Sequence, residues 1–218
     1  MKYALTIGFW MLVCAYCAAA SGVCLDSLRT ADLLFVVNDK GNAITSVTEG
    51  YAQMPIDHVA IFYTDSITQS PCVLQADYQG VHTCSLQQFI ADYSSPSQSH
   101  YHLLVGRVVA DFDAVQSVKN ALTYVGRPYD FYFLPSDDEI YCSELVQKSY
   151  VIHAGDLLFS TIPMTFRNGA GAIADHWVQH YHKKGIPIPE GEPGSNPGDL
   201  SRRSQVRILG DLRLPDAR

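Results

Sequence analysis

The chain has 218 residues, 47% of them hydrophobic and 17% charged, with a formal net charge of −7 at pH 7. That length and composition fit one folded domain, with or without an appendage, and exclude wholesale disorder. The acidic balance argues against general binding to nucleic acid or to anionic membrane.

The first twenty residues differ from the rest. Lys2, a short apolar run from Ala4 to Val13 and the small residues Ala18-Ala19-Ala20-Ser21 have the order of a secretory signal peptide. The run is short for a membrane span and has no basic stop after it. Cleavage is expected near Ala20, giving an exported, periplasmic or extracellular protein; residues 21–218 then form a single domain. A lipid-modified Cys24 is the alternative, but Ser21-Gly22-Val23-Cys24 makes a poor lipobox. Cleavage removes Cys14 and Cys17 and leaves Cys24, Cys72, Cys84 and Cys142.

Asp32 to Val37 is a short apolar run ended by Asn38-Asp39-Lys40-Gly41-Asn42, which predicts a buried strand and a turn. Residues 43–51 are polar and ambiguous, with a short helix as one reading. His58 to Tyr63 predicts a second strand, apolar on both faces apart from its first residue. The stretch Cys72 to Cys84 is symmetric about Tyr78 and predicts a hairpin turning at Gln79-Gly80. Across it a Cys72–Cys84 disulfide and two unpaired strand cysteines both remain open. Ser85 is placed to cap a short helix beginning with Leu86, and His100 to Val109 reads as a strand.

Asp113 caps a predicted helix whose apolar stripe is Ala114, Val115, Val118, Ala121, Leu122 and Val125, closed by Gly126. A further helix opens at Cys142 after the loop Pro135 to Asp138. Another is expected over 172–184, with Ile173, Trp177 and Tyr181 inward and Gly185 as terminator. From Ile186 to the end Pro and Gly dominate, reading as a wrapping loop or a partly disordered tail. The pattern is α+β: a mostly antiparallel sheet packed with helices.

Two residues stand out chemically. Cys142 opens a helix, where unpaired backbone N–H groups and the helix dipole favour the thiolate, so it reads either as a nucleophile ionising near neutral pH or as a buried core cysteine. It has no obvious disulfide partner. His58 stands where a polar loop enters an otherwise buried strand, reading as a base or as a core-edge histidine. The other histidines have ordinary readings. His176, His180 and His182 lie on the polar side of the Trp177 helix, with no glutamate between them in the metalloprotease arrangement. His100 and His102 sit at a strand start, and His153 follows the Cys142 helix, where a cation suits the dipole. No metal or cofactor is called for.

Asp32-Leu33-Leu34-Phe35, Asp57-His58-Val59-Ala60-Ile61, Gly126-Arg127-Pro128-Tyr129-Asp130 and Tyr141-Cys142-Ser143-Glu144-Leu145-Val146 together resemble the permuted papain-like amidases of the YiiX type, relatives of the NlpC-type cell-wall peptidases. The histidine motif preceding the cysteine motif is the order of the permuted branch, which also contains the lecithin–retinol acyltransferase type. The resemblance spans about Asp32 to Tyr150. It implies a circularly permuted papain-like core, with Cys142 as nucleophile, His58 as base and Gln75 as the third, orienting residue. Asp77, on the same face, is the runner-up. Many relatives carry glutamate or histidine there, so glutamine is a departure, although its carbonyl oxygen can still orient an imidazole. The resemblance also makes Tyr129 an oxyanion donor; read by itself, Tyr129 is an ordinary aromatic beside Tyr132 and Phe133.

The implied function is an exported cysteine amidase or peptidase acting through an acyl-enzyme on a cell-wall peptide or a small acylated amine, with cell-wall association among the expectations. Acyl transfer to an alcohol or amine on the same residues, which calls for an apolar groove, is one alternative. A non-catalytic binding module is the other, kept open by Gln75.

Overall fold

The computed structural model describes residues 22–94 and 98–213. The expected signal peptide and the last five residues lie outside the described residues. Six strands form one antiparallel sheet: β1 (Leu33–Asn38), β2 (Ile56–Thr64), β3 (Pro71–Asp77), β4 (Gly80–Ser85), β5 (Tyr101–Val108) and β8 (Val206–Asp211), in the order β4-β3-β2-β1-β5-β8. A two-stranded ribbon joins β6 (Ile162–Pro163) to β7 (Pro193–Gly194). The helices are α1 (Leu86–Ser94), α2 (Ala114–Leu122), α3 (Cys142–Ser149), α4 (Asp175–Lys184) and α5 (Pro197–Arg202).

β1 lies near the middle of the sheet and is buried along its whole length, which is why its residues run apolar without alternation. Phe35, Val59, Ile61, Leu74 and Leu104 face the side covered by α3 and α5, with Val118 and Ala121 of α2 behind them. Leu34, Val36, Phe62, Val73 and Val105 face the other side, under Leu86 and Phe89 of α1. A third cluster, Met164, Phe166, Trp177 and Tyr181, stands apart from the sheet and joins α4 to the 162–166 segment.

Several sequence expectations change. The hairpin turns at Tyr78-Gln79, since Asp77 pairs with Gly80. Cys72 therefore opposes Ser85, and Cys84 opposes Val73. Side chains alternate along a strand, so this one-residue offset sends the two cysteines to opposite faces, and both are free thiols. Residues 43–47 form turns rather than a helix, and a 3₁₀ turn follows at Tyr51–Gln53. The α2 stripe is narrower than predicted: Val115, Leu122 and Val125 are exposed. Residues 186–213 of the Pro/Gly-rich end contribute α5 and the edge strand β8.

The N-terminal edge of β1 is pinned by an ion pair whose carboxylate is buried and whose guanidinium is half-buried. Arg107 Nε donates to Asp32 Oδ1 at 2.8 Å and Nη2 to Oδ2 at 2.6 Å, while Arg29 N–H donates to Oδ2 at 2.8 Å. Asp32 is 2% exposed, so removing the cation strands a buried charge. Arg107→Met should destabilise the fold by about 3 kcal/mol in urea unfolding. A loss under about 1 kcal/mol would show the pair to be worth no more than a surface bridge.

Candidate active site

The chain enters α3 through buried Ile140 and Tyr141, the latter with extended backbone at φ −99° and ψ 167°. Cys142 is thus the first helical residue, and the backbone N–H groups of Cys142 and Ser143 reach its sulfur. A third donor comes from the sheet. Pairing between β2 and β3 runs from Thr64 and Pro71 only as far as Ile61 and Leu74, leaving the first half of β2 without β3. There Val59, the residue after His58, gives its N–H to the Cys142 sulfur. Burial nevertheless pushes the thiol up to about 12, and the donors do not offset it. The helix start favours the thiolate, and removal from water opposes it more strongly.

His58 owes its orientation to a β-bulge. Val36 pairs with His58 and Val37 with Ile56, so Asp57 is the extra residue. Asp57 turns out of the ladder and accepts hydrogen bonds from Asn38 and Asn42. His58 turns toward α1, where its ring stacks on Tyr93 with centroids 6.1 Å apart. Its Nε2 lies 2.9 Å from Gln75 Oε1. An amide oxygen only accepts, so Nε2 carries the proton and Nδ1 is the bare, basic nitrogen. Asp77 does not bond to the ring; its carboxylate accepts from the Gln79 N–H in the hairpin turn. Burial lowers the His58 pKa from its ordinary 6.5, against the opposing effects of Gln75 and Asp77.

Tyr129 is carried to Cys142, beside a cavity that His58 and Gln75 do not line, by backbone bonds. Gly126 N–H donates to Val81 O, Val81 N–H to Arg127 O and Ile140 N–H to Pro128 O, so the 126–129 segment is clamped between β4 and the start of α3. The approach is close: a Cβ on Gly80, whose φ is +91°, would meet Arg127 O at 2.4 Å. Burial, and then the charge a Cys142 thiolate would carry, raise the Tyr129 phenol well above its ordinary range, so it remains a donor.

Cys142 and Tyr129 line one cavity, walled by Ile44, Val47, Phe133, Met164, Phe166 and Trp177. Its polar lining is Ser143, Ser195, Asn196, two threonines and the Tyr141 hydroxyl; no charged side chain is among the described residues that line it. The wall is the third hydrophobic cluster, which explains why α4 carries Trp177 and Tyr181 away from the main core.

A thiol at a helix start, an imidazole held by an amide and a buried phenol are the groups that acyl transfer through a thioester uses. The model of the permuted papain-like amidases, YaeF/YiiX, C92 family, matches residues 28–206. The chain belongs to this family. It is therefore a hydrolase of the cysteine amidase and peptidase type. Among solved structures, this amidase is similar to the metalloprotein YiiX of Escherichia coli O157:H7, at 23% identity and a TM-score of 0.63 over 84% of this chain and 97% of that one, which shows a shared fold. No curated protein matches. Among the described residues of this amidase, no three His, Cys, Asp or Glu side chains are placed to hold a metal ion. His180 instead bonds the Phe131 carbonyl, His102 meets Asp211 at 2.6 Å and His153 lies beside Asp111.

Tyr93 went unnoticed in the sequence. Leu86, Phe89, Ile90 and Tyr93 follow helical spacing, a pattern that reads only as core, although Tyr93 also stacks on His58. Ser195 was lost in the Pro/Gly-rich tail, yet its N–H donates to the Tyr141 hydroxyl at 3.1 Å and its Oγ lies 3.1 Å from Ser143 Oγ.

Proposed function

We propose that this amidase cleaves amides whose acyl side is apolar, with Cys142 as nucleophile, His58 as general base and acid, Gln75 as its orienting partner and Tyr129 as an oxyanion donor. The observation that carries this reading is the uncharged, aromatic-walled cavity at Cys142. A cell-wall peptide, with its carboxylates and amines, finds no charged partner there, whereas an acyl chain or aromatic acyl group does not need one. Cys142 and His58 rest as neutral thiol and neutral imidazole. His58 Nδ1 takes the thiol proton as the sulfur attacks the carbonyl carbon. The oxyanion then receives hydrogen bonds from the Tyr129 hydroxyl and the Cys142 N–H. His58 returns the proton to the leaving nitrogen, the C–N bond breaks, and water activated by the same nitrogen releases the acid and restores the thiol.

Tyr129→Phe keeps the ring and removes the donor. It should lower kcat about 10²-fold with KM little changed; a change in KM alone would make Tyr129 a binding wall and no oxyanion donor. Substrate class is tested with N-acyl anilides from acetyl to octanoyl. Each buried methylene is worth about 0.8 kcal/mol, so kcat/KM should rise roughly fourfold per carbon until the cavity fills. Faster cleavage of the acetyl compound, or of a free cell-wall peptide, would contradict the apolar reading. The same cavity favours acyl transfer as the second reading, because its walls keep water from the thioester. An added amine or alcohol that diverts product from acid to conjugate would reveal it. The first twenty residues support placing the enzyme outside the cytoplasm.

A further inference from the structure

We propose that His82 is a positioning residue that acts on His58 through Gln75; this rests on the catalytic reading above. Gln75 and His82 are directly paired across β3 and β4 and share a face with His58. The Gln75 amide spans the two rings, with Oε1 2.9 Å from His58 Nε2 and Nε2 3.4 Å from His82 Nε2. Its Nε2 also points at Cys84 Sγ, 4.0 Å away.

The polarity of this chain is set at its far end. His82 Nδ1 lies 3.1 Å from the Gly80 carbonyl oxygen and 3.6 Å from Asp77 Oδ1. Both oxygens accept, so Nδ1 carries the His82 proton and Nε2 is bare. A bare Nε2 accepts from the Gln75 N–H, which turns the amide oxygen toward His58. Nothing in an amide's own shape distinguishes its two ends. Reversed, Gln75 would present N–H to His58 Nε2, force that nitrogen to be the acceptor and place the proton on Nδ1, the nitrogen that must take the thiol proton. A neutral His82 therefore selects the reactive tautomer of His58.

The test uses three variants of the full chain. His82→Leu removes the acceptor, His82→Gln retains one in its amide oxygen, and Gln75→Glu replaces the reversible amide by a group that accepts at both ends. Histidine ¹⁵N shifts, assigned against His58→Gln, report the His58 tautomer without reference to activity. Wild type should carry the proton on Nε2. His82→Leu should shift the proton toward Nδ1 and lower kcat about tenfold or more, with KM within about twofold, since a histidine in the wrong tautomer is a poor base. His82→Gln should restore both readouts, and in the Gln75→Glu background His82→Leu should leave the His58 tautomer unchanged. An unaltered tautomer in His82→Leu would overturn the proposal, as would equal losses of kcat in the leucine and glutamine variants. Turnover that survives Cys142→Ala would instead overturn the catalytic reading, an outcome that the tautomer measurement keeps distinct.

Discussion

Cys142→Ala should abolish amide hydrolysis, with kcat lower by roughly 10⁴-fold or more, because no other group can form the thioester. The protein should stay folded. Cys142 is 3% exposed and sits in the main core, and the substitution removes one sulfur and with it the acceptor of the Val59 N–H. Unfolding of the variant should therefore shift by about 1–3 kcal/mol. Cys72 is a spectator here, since it does not line the cavity that holds Cys142 and faces away from Gln75. A Cys72→Ser variant should turn over substrate at close to the wild-type rate.

The second large effect concerns His58 and pH. His58→Ala should lower kcat/KM by about 10³-fold, the usual worth of a general base, with partial recovery in added imidazole. In the wild type, burial lowers the His58 pKa from 6.5 and raises the thiol to about 12. Both shifts favour the neutral pair. The base is thus competent at pH 6.5 and fails only below it, so the acid limb of kcat/KM should lie below 6.5. No alkaline rise should appear until the thiol itself ionises. A preformed thiolate–imidazolium pair would instead give rapid iodoacetamide labelling of Cys142 near neutral pH, and that result would reject the neutral resting state. The same shift has a consequence for stability. Below pH 6.5 the unfolded chain protonates His58 while the folded one does not, so this group's contribution is present above 6.5 and is lost as pH falls toward the folded pKa.

What could be read from the sequence was what short-range pattern determines. β1 and β2 announce themselves as apolar runs because they lie inside the sheet, and His58 is conspicuous as a polar residue in such a run. Asp113 and Ser85 accept from Gln116 N–H and Gln88 N–H, as capping chemistry requires. The Cys142 helix start was legible from the loop before it. Long-range register was not. The offset that parts Cys72 from Cys84 depends on which two residues make the turn, and the alignment of Gln75 with His82 depends on the same register. β8 escaped notice because Arg207, Gly210 and Asp211 break up the apolar run that marks an interior strand. The direction of the Cys142 shift depends on what covers the sulfur, and that cover comes from distant parts of the chain.

The most direct test is to trap the acyl-enzyme. The protein is mixed with an octanoyl anilide or ester, quenched in acid within the turnover time, and read by intact mass and peptide mapping. The account predicts one octanoyl group, on the peptide that carries Cys142, absent from Cys142→Ala and accumulating less in His58→Ala. Steady turnover with no acyl adduct, or an adduct on Cys72, Cys84 or a serine that persists in Cys142→Ala, would contradict it.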